Sequence, residues 1–204
     1  MASDTTFPMQ EEASDNSASE AEDIALMLRV RDGDLDSFHA LVVRYQYRVV
    51  GTVTRMLGSE DEAEDIAQQV FLRVWKSAST YKHQAKFNTW LMTITRNLVF
   101  NEIRRRKRHP TQSLNEEFDD RPKQYEDATS PSPSDQIQEV ELQMAIDAAI
   151  ESLPEQQRMA VVLRRYEDLS YDEIAKILST SVSAVKSILF RARIELRDKL
   201  QKYL

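Results

Sequence analysis

Two basic helical segments and one mixed aromatic, amide and lysine loop are the residues of this chain whose types and spacing could do chemistry, and in each case the chemistry is recognition of nucleic acid. In Leu169 to Arg193, Ser170 and Glu173 have capping-box spacing, which predicts a helix from Tyr171. Ile174, Ala175 and Leu178 give that helix one apolar face, and Ser179-Thr180-Ser181 supplies turn and N-cap chemistry. Val182, Val185, Leu189 and Ala192 then restart the helical period. Lys186, Ser187, Phe190 and Arg191 are left for the outward side. In a helix-turn-helix the start of the second helix enters the major groove, where short hydroxyls and cations reach base edges and phosphates. A helical hairpin with a solvated charged face would have the same periodicity.

The loop Tyr81 to Trp90 mixes Lys82, His83, Gln84, Lys86, Phe87 and Asn88 at a helix start. Aromatic faces stack on unpaired bases, lysines hold phosphates and amides read base edges, so the mixture suits a single strand. Trp90 reads as core, and Phe87 fits either role. Arg104-Arg105-Arg106-Lys107-Arg108 closes the same helix. One or two cations there would offset the helix dipole, but five together repel one another and favour a polyanion. Between Ser59 and Lys76, Asp65, Gln68, Gln69, Leu72 and Arg73 share the side away from an apolar stripe. Periodicity alone makes that side an ordinary solvated surface, with Leu72 the one hint of a partner.

The elements that must position these groups are helical. Asp34 can cap a helix carrying Phe38, Leu41, Val42, Tyr45, Val49, Val53 and Met56 at three- and four-residue spacing, with Gly58 as its stop. Ser59 and Glu62 form a second capping box, opening a helix with Ala63, Ile66, Ala67, Val70, Phe71, Val74 and Trp75 on its inner side. A third runs from about Asn88 to Lys107 on Trp90, Leu91, Ile94 and Leu98. Prolines at 110, 122, 131 and 133 with few apolar residues mark a linker. A further helix restarts near Asp135 with Ile137, Val140, Met144 and Ala148 on one face, and Leu153-Pro154-Glu155 divides it from the next. The expected architecture is all-α: an acidic, disordered tail over 1–21, a helical domain over 22–109, a flexible acidic linker over 110–134, and a helix-turn-helix domain over 135–204.

The distribution of charge supports that division. The chain has 204 residues and a formal net charge of −7. Residues 1–23 carry seven acids and no bases, and 111–141 carry nine acids against two bases, while 24–110 carry fifteen bases against nine acids. The excess acid therefore lies outside the expected domains, which together are net basic. There is no cysteine, so disulfides, thiolate metal sites and a cysteine nucleophile are excluded. The histidines His39, His83 and His109 are scattered, and three glycines leave no phosphate-cradling loop, which argues against an enzyme and against a metal or other cofactor. The N-terminus has no basic and apolar leader pattern and no run of about 18 apolar residues occurs, which predicts a cytoplasmic protein without membrane insertion.

Taken in order along the chain, three runs resemble the extracytoplasmic-function group of bacterial RNA polymerase sigma factors, in the sigma-70 family. They are Asp61 to Trp75; Phe87-Asn88-Thr89-Trp90-Leu91 with Arg96-Asn97 and Arg104-Arg105; and Leu153-Pro154 with Leu169 to Ala175 and Val185-Lys186-Ser187. The resemblance covers residues of about 23 to 108 and 135 to 204. It implies that Asp65, Gln68, Gln69, Leu72 and Arg73 dock on the clamp helices of the largest polymerase subunit, which replaces the solvated-surface reading. It also implies contact with the flap of the second-largest subunit. Lys82, His83, Lys86, Phe87, Asn88 and Asn97 would lie at the −10 element, where a base is flipped and held. Arg104, Arg105 and Arg106 would track the nearby duplex, and Ser183, Lys186, Ser187, Phe190 and Arg191 would meet the −35 element. An anti-sigma protein is the further partner the family leads one to expect.

Three positions depart from the family pattern. Gln69 stands where Glu is usual, Asn101 where Asp is common, and His83-Gln84 where a basic residue and Gly are frequent, so no −10 sequence transfers to this protein. The competing expectation is a stand-alone helix-turn-helix regulator with residues 24–108 for dimerisation or sensing. It would bind a palindromic site without polymerase.

Overall fold

The computed structural model describes residues 11–82, 85–108 and 133–203, with side chains from 19–82, 85–108 and 140–203. Among them are eight α-helices, two short 3-10 turns and no strand. In the first module α1 spans Glu11–Arg31, α2 Leu35–Leu57, α3 Glu60–Ser77 and α4 Phe87–Arg108. In the second, α5 spans Pro133–Glu151, α6 Glu155–Arg165, α7 Tyr171–Leu178 and α8 Val182–Lys199. The expected linker, 110–134, lies outside the described residues except for the start of α5.

Local chemistry sets the helix boundaries. Asp34 caps α2 by accepting from the backbone N–H of Asp36 at 3.0 Å, and the Ser37 hydroxyl donates to it at 2.6 Å. That hydroxyl, followed by the two backbone donors, holds the Asp34 carboxyl below its ordinary value. Gly58 ends α2 at φ +79°, a left-handed conformation that favours glycine, and its N–H reaches Thr54 O. Ser59 caps α3 through the Glu62 N–H at 3.4 Å. The reciprocal half of this expected capping box is not made, because the Glu62 carboxylate pairs with Arg106 instead. At Ser170 both halves are present.

The apolar stripes of α2, α3 and α4 meet in the first core, where Leu41, Val49, Val53, Val70, Val74 and Leu91 are fully buried. Met159, Leu163, Ile174, Ile177 and Val185 fill the second. Two expectations are corrected. α1 begins ten residues before the tail was expected to end: its alanines and glutamates are good helix formers, and Asp23 and Glu22 are tied to Arg44 of α2. The face of α5 assigned to Val140, Met144 and Ala148 is exposed; α5 instead buries its last turns through Ala149 and Ile150.

The two modules share one continuous core cluster. α4 packs on α7, and α2 on α5 and α6. Glu167, in the α6–α7 turn, accepts from Arg48 Nε at 2.8 Å and from the Thr52 hydroxyl at 3.0 Å, both on α2. Arg55 stacks on Tyr166 at 3.9 Å, and Arg158 donates to Met56 O at 2.8 Å, capping the end of α2 from the other module.

Candidate nucleic-acid interface

On α3, the buried stripe Ala63, Ile66, Ala67, Val70 and Val74 fixes which side faces out. Asp65, Gln68, Gln69, Leu72 and Arg73 are all exposed, and Leu72 keeps 56 % of its surface. Leu72 is the one apolar side chain in this polar set, and covering it would remove apolar surface from water.

The start of α4 is built on aromatic rings. Phe87 is 1 % exposed, edge-on to Tyr45 at 5.1 Å, and Trp90 is partly buried, edge-on to Tyr81 at 5.0 Å. The expectation that Phe87 meets DNA is therefore corrected: its ring anchors the helix start and so orients Lys86 and Asn88. Lys82 and Lys86 are exposed. Asn88 is partly buried, and its Oδ1 has no hydrogen-bond partner. Asn97 is exposed and accepts from Arg96 at 2.8 Å. His83 and Gln84 lie outside the described residues.

The five-cation run divides. Arg104 and Arg108 are exposed. Arg105 is held by Glu102 through two 2.8 Å hydrogen bonds, and Lys107 pairs with Glu155 of the other module. Arg106 points inward, bonded to Leu57 O at 3.1 Å and paired with Glu62 and Glu102. Its expected DNA role is corrected to one of joining α4 to the ends of α2 and α3.

The helix-turn-helix has the geometry its sequence requires. Ser179 closes α7 in the left-handed conformation at φ +54°, and the Thr180 N–H returns to Ala175 O at 2.9 Å. Ser181 then caps α8 through the Ala184 N–H at 3.1 Å. Val185, Ile188, Leu189 and Ala192 bury one face of α8, leaving Ser183, Lys186, Ser187, Phe190 and Arg191 exposed together. Phe190 keeps 62 % of its surface, and Arg191 folds back on Ser187 O at 3.3 Å.

Two carboxylates that periodicity did not single out as site residues lie beside these groups. Glu173 Oε1 stands 3.5 Å from Lys86 Nζ and 3.5 Å from the Thr89 hydroxyl, while its Oε2 accepts from the Ser170 N–H at 2.8 Å. Burial raises the Glu173 carboxyl, but the Ser170 hydrogen bonds and the Lys86 charge outweigh it and hold the group below its ordinary value. Glu20 of α1 lies 3.7 Å from the same lysine. Only the capping role of Glu173 was legible in the sequence; a long-range pair of single charges leaves no periodic signal.

Comparison with known proteins places both modules. The family model described as Sigma-70 region 2 matches residues 41–109, and that described as Sigma-70, region 4 matches residues 143–196. The RNA polymerase sigma-H factor of Pseudomonas aeruginosa is 32% identical over 187 residues, which is 90% of this chain and 96% of that protein. The ECF RNA polymerase sigma-E factor of Escherichia coli is 34% identical over 183 residues, 88% of this chain and 94% of that one. In fold, the chain is similar to CnrH solved with the cytosolic domain of CnrY (TM-score 0.65, 20% identity, 89% of this chain and 98% of that one). It is also similar to the sigma factor RpoE solved with the anti-sigma factor NepR from Bartonella quintana (TM-score 0.64, 21% identity, 82% and 98%).

Proposed function

The chain belongs to the sigma-70 family, in its extracytoplasmic-function group, and from that membership and its exposed faces we propose how its residues divide the work of a sigma factor. A sigma factor binds core RNA polymerase, directs it to promoters and starts transcription there, so the part played by this chain is binding and not catalysis. A stand-alone regulator is not favoured, because residues 41–109 match the sigma region that serves polymerase rather than a sensing module.

In the proposed division, Asp65, Gln68, Gln69, Leu72 and Arg73 dock on the clamp helices of the largest subunit, and the second module also meets the flap of the second-largest. Lys82, Lys86, Asn88 and Asn97 hold the −10 strand, and His83, the residue after Lys82 in sequence, is assigned to the same element. Arg104 and Arg105 follow the duplex backbone. Ser183, Lys186, Ser187, Phe190 and Arg191 enter the major groove at −35, where the hydroxyls and cations reach base edges and phosphates. Stacking and edge hydrogen bonds to a flipped base offset an unpairing cost of a few kcal/mol, so opening needs no ATP.

The observation that carries the reading is that α3 and α8, each packed by a buried stripe, keep these two residue sets together at the surface. An anti-sigma partner belongs to the proposal, in keeping with the family. No described helix is long and apolar enough to cross a membrane, and work on core polymerase puts the protein in the cytoplasm. In vitro transcription with purified core polymerase and a pool of genomic promoter fragments tests the whole. New transcripts sharing one −35 and −10 pair are expected; no new transcripts, with DNA bound by the protein alone, would reinstate the regulator.

A further inference from the structure

We propose that Glu173 of the helix-turn-helix is an intramolecular competitor for the −10 strand, holding Lys86 and Thr89 until a promoter phosphate displaces it. The inference rests on the assignment of the Lys82 to Asn88 segment to the −10 element.

The geometry is that of an anion site filled by the chain's own carboxylate. Phe87 is the first residue of α4, so Lys86 and Thr89 stand at a helix N-terminus, where unpaired N–H groups and the macrodipole favour negative charge. An ammonium and a hydroxyl converge there on one carboxylate oxygen, each at 3.5 Å. Glu20 approaches the same ammonium from a third helix at 3.7 Å. Lys86 is 45 % exposed, while Glu173 keeps 15 % of its side chain exposed and Thr89 is 3 % exposed, so the ammonium is open to solvent and the Thr89 hydroxyl is uncovered only when α7 moves away. Next to it, the Asn88 Oδ1 has no hydrogen-bond partner; as an acceptor it suits a donor on the −10 strand and adds nothing to the hold on an anion.

Glu173 cannot leave alone. Its second oxygen caps α7 through Ser170, so the carboxylate moves with the helix-turn-helix. Arg96 ties the far end of the same helix, donating to Leu178 O at 3.3 Å. Filling the −10 site with DNA therefore separates α7 from α4. The exposed faces of α3 and α8 take no part in this contact, so clamp docking and −35 reading remain available while −10 binding is held back. The order that results is polymerase and −35 first, then −10 capture.

The test uses the full chain and a fluorescein-labelled pool of random single-stranded deoxyoligonucleotides, read by anisotropy at fixed salt. Glu173→Gln keeps the capping chemistry, since glutamine serves in a capping box, and removes the charge facing Lys86. A partly exposed ion pair lost from the closed form raises the open fraction, and with it the apparent affinity, about two- to fivefold. The same substitution on a Lys86→Ala background is expected to give no gain. Asp172→Asn, one residue away, reports the effect of removing any nearby acid and is expected to leave affinity unchanged. The absence of native cysteine allows dyes at Ser79→Cys and Lys199→Cys; energy transfer between them should change on adding the oligonucleotide, and more readily in Glu173→Gln.

Unchanged affinity in Glu173→Gln, or an equal gain in Asp172→Asn or on the Lys86→Ala background, overturns the competitor. Lys82 makes no contact with either carboxylate and separates the two readings. If Lys82→Ala weakens binding while Glu173→Gln changes nothing, the −10 assignment stands and the competitor fails. If Lys82→Ala also has no effect, the −10 assignment itself fails.

Discussion

Arg48 and Glu167 meet at 2.8 Å although one belongs to each module, and Glu167 is the buried partner, with 3 % of its side chain exposed against 41 % for the arginine. Burial raises the Glu167 carboxyl above its ordinary 4.5; Arg48, the Thr52 hydroxyl and Arg55 pull the other way without overcoming it. The ionised carboxylate is therefore the disfavoured form in the packed state, and proton linkage gives the sign. The packed state is fully favoured below about 4.5 and loses stability as pH rises through the raised value. Glu167→Gln has no such dependence. In urea unfolding, the parent should gain on this variant as pH falls from neutrality towards 4.5. A difference that stays constant, or that favours the variant more at low pH, would sink the argument. Glu167→Ala, which strands Thr52 and Arg48, should cost about 1–3 kcal/mol at neutral pH.

Gly58 combines a conformational and a steric demand. At φ +79° a side chain is strained, and a Cβ there would stand 2.8 Å from Glu151 Oε1 of α5. Gly58→Ala should cost about 1–2 kcal/mol from the backbone term, a fall of several degrees in Tm by calorimetry. Glu151→Ala should recover only the steric part. Complete rescue by Glu151→Ala would mean that the left-handed backbone is not the main penalty.

Much of this was legible because the signals are local. Asp34, Gly58, Ser170 with Glu173, and the stripe from Ala63 to Val74 each announce themselves within a few residues, since caps and periodicity are short-range physics. The exposure of the candidate residues on α3 and α8 followed by subtraction: what the stripe does not bury is exposed. Where several roles compete for one residue, the sequence misled. Arg106 looks like its neighbours Arg105 and Lys107, yet helix phase turns it towards Leu57 O and Glu62. Phe87 fits a base-stacking loop in composition, but the pocket beside Tyr45 is what it fills. The packing of the modules on one another could not be read at all. It depends on isolated pairs such as Arg48 with Glu167, more than one hundred residues apart, for which one sequence holds no pattern.

The cation run offers a separation of roles within three residues. Arg106→Ala removes the contacts to Leu57 O, Glu62 and Glu102 and should lower stability by about 1–3 kcal/mol. Arg104→Ala touches none of these and should stay within about 0.5 kcal/mol of the parent. Duplex binding should respond in the reverse order, with Arg104→Ala lowering the slope of log affinity against log salt by about 1. Equal stability losses in the two variants, measured by urea unfolding, would return Arg106 to the DNA face.

The proposed docking and reading faces lie on different helices, so they should separate in measurement. Lys186→Ala should weaken binding to a −35 duplex and reduce the salt slope by about 1, because an exposed ammonium on the first turns of α8 releases counterions when it meets phosphate. Arg191→Ala should cost less. Its guanidinium is spent on Ser187 O at 3.3 Å and must break that bond before it can contact DNA, which offsets part of the gain. Neither change should alter affinity for core polymerase. Leu72→Glu should do the opposite, abolishing clamp affinity by placing a charge where an exposed isobutyl group would be covered, while leaving −35 binding intact. Binding to core polymerase and to labelled −35 duplex, measured for all three variants, checks the division. If Lys186→Ala and Arg191→Ala both transcribe normally from a −35-dependent promoter, α8 is not the reading helix. A Leu72→Glu variant that still binds polymerase would remove α3 as the docking face.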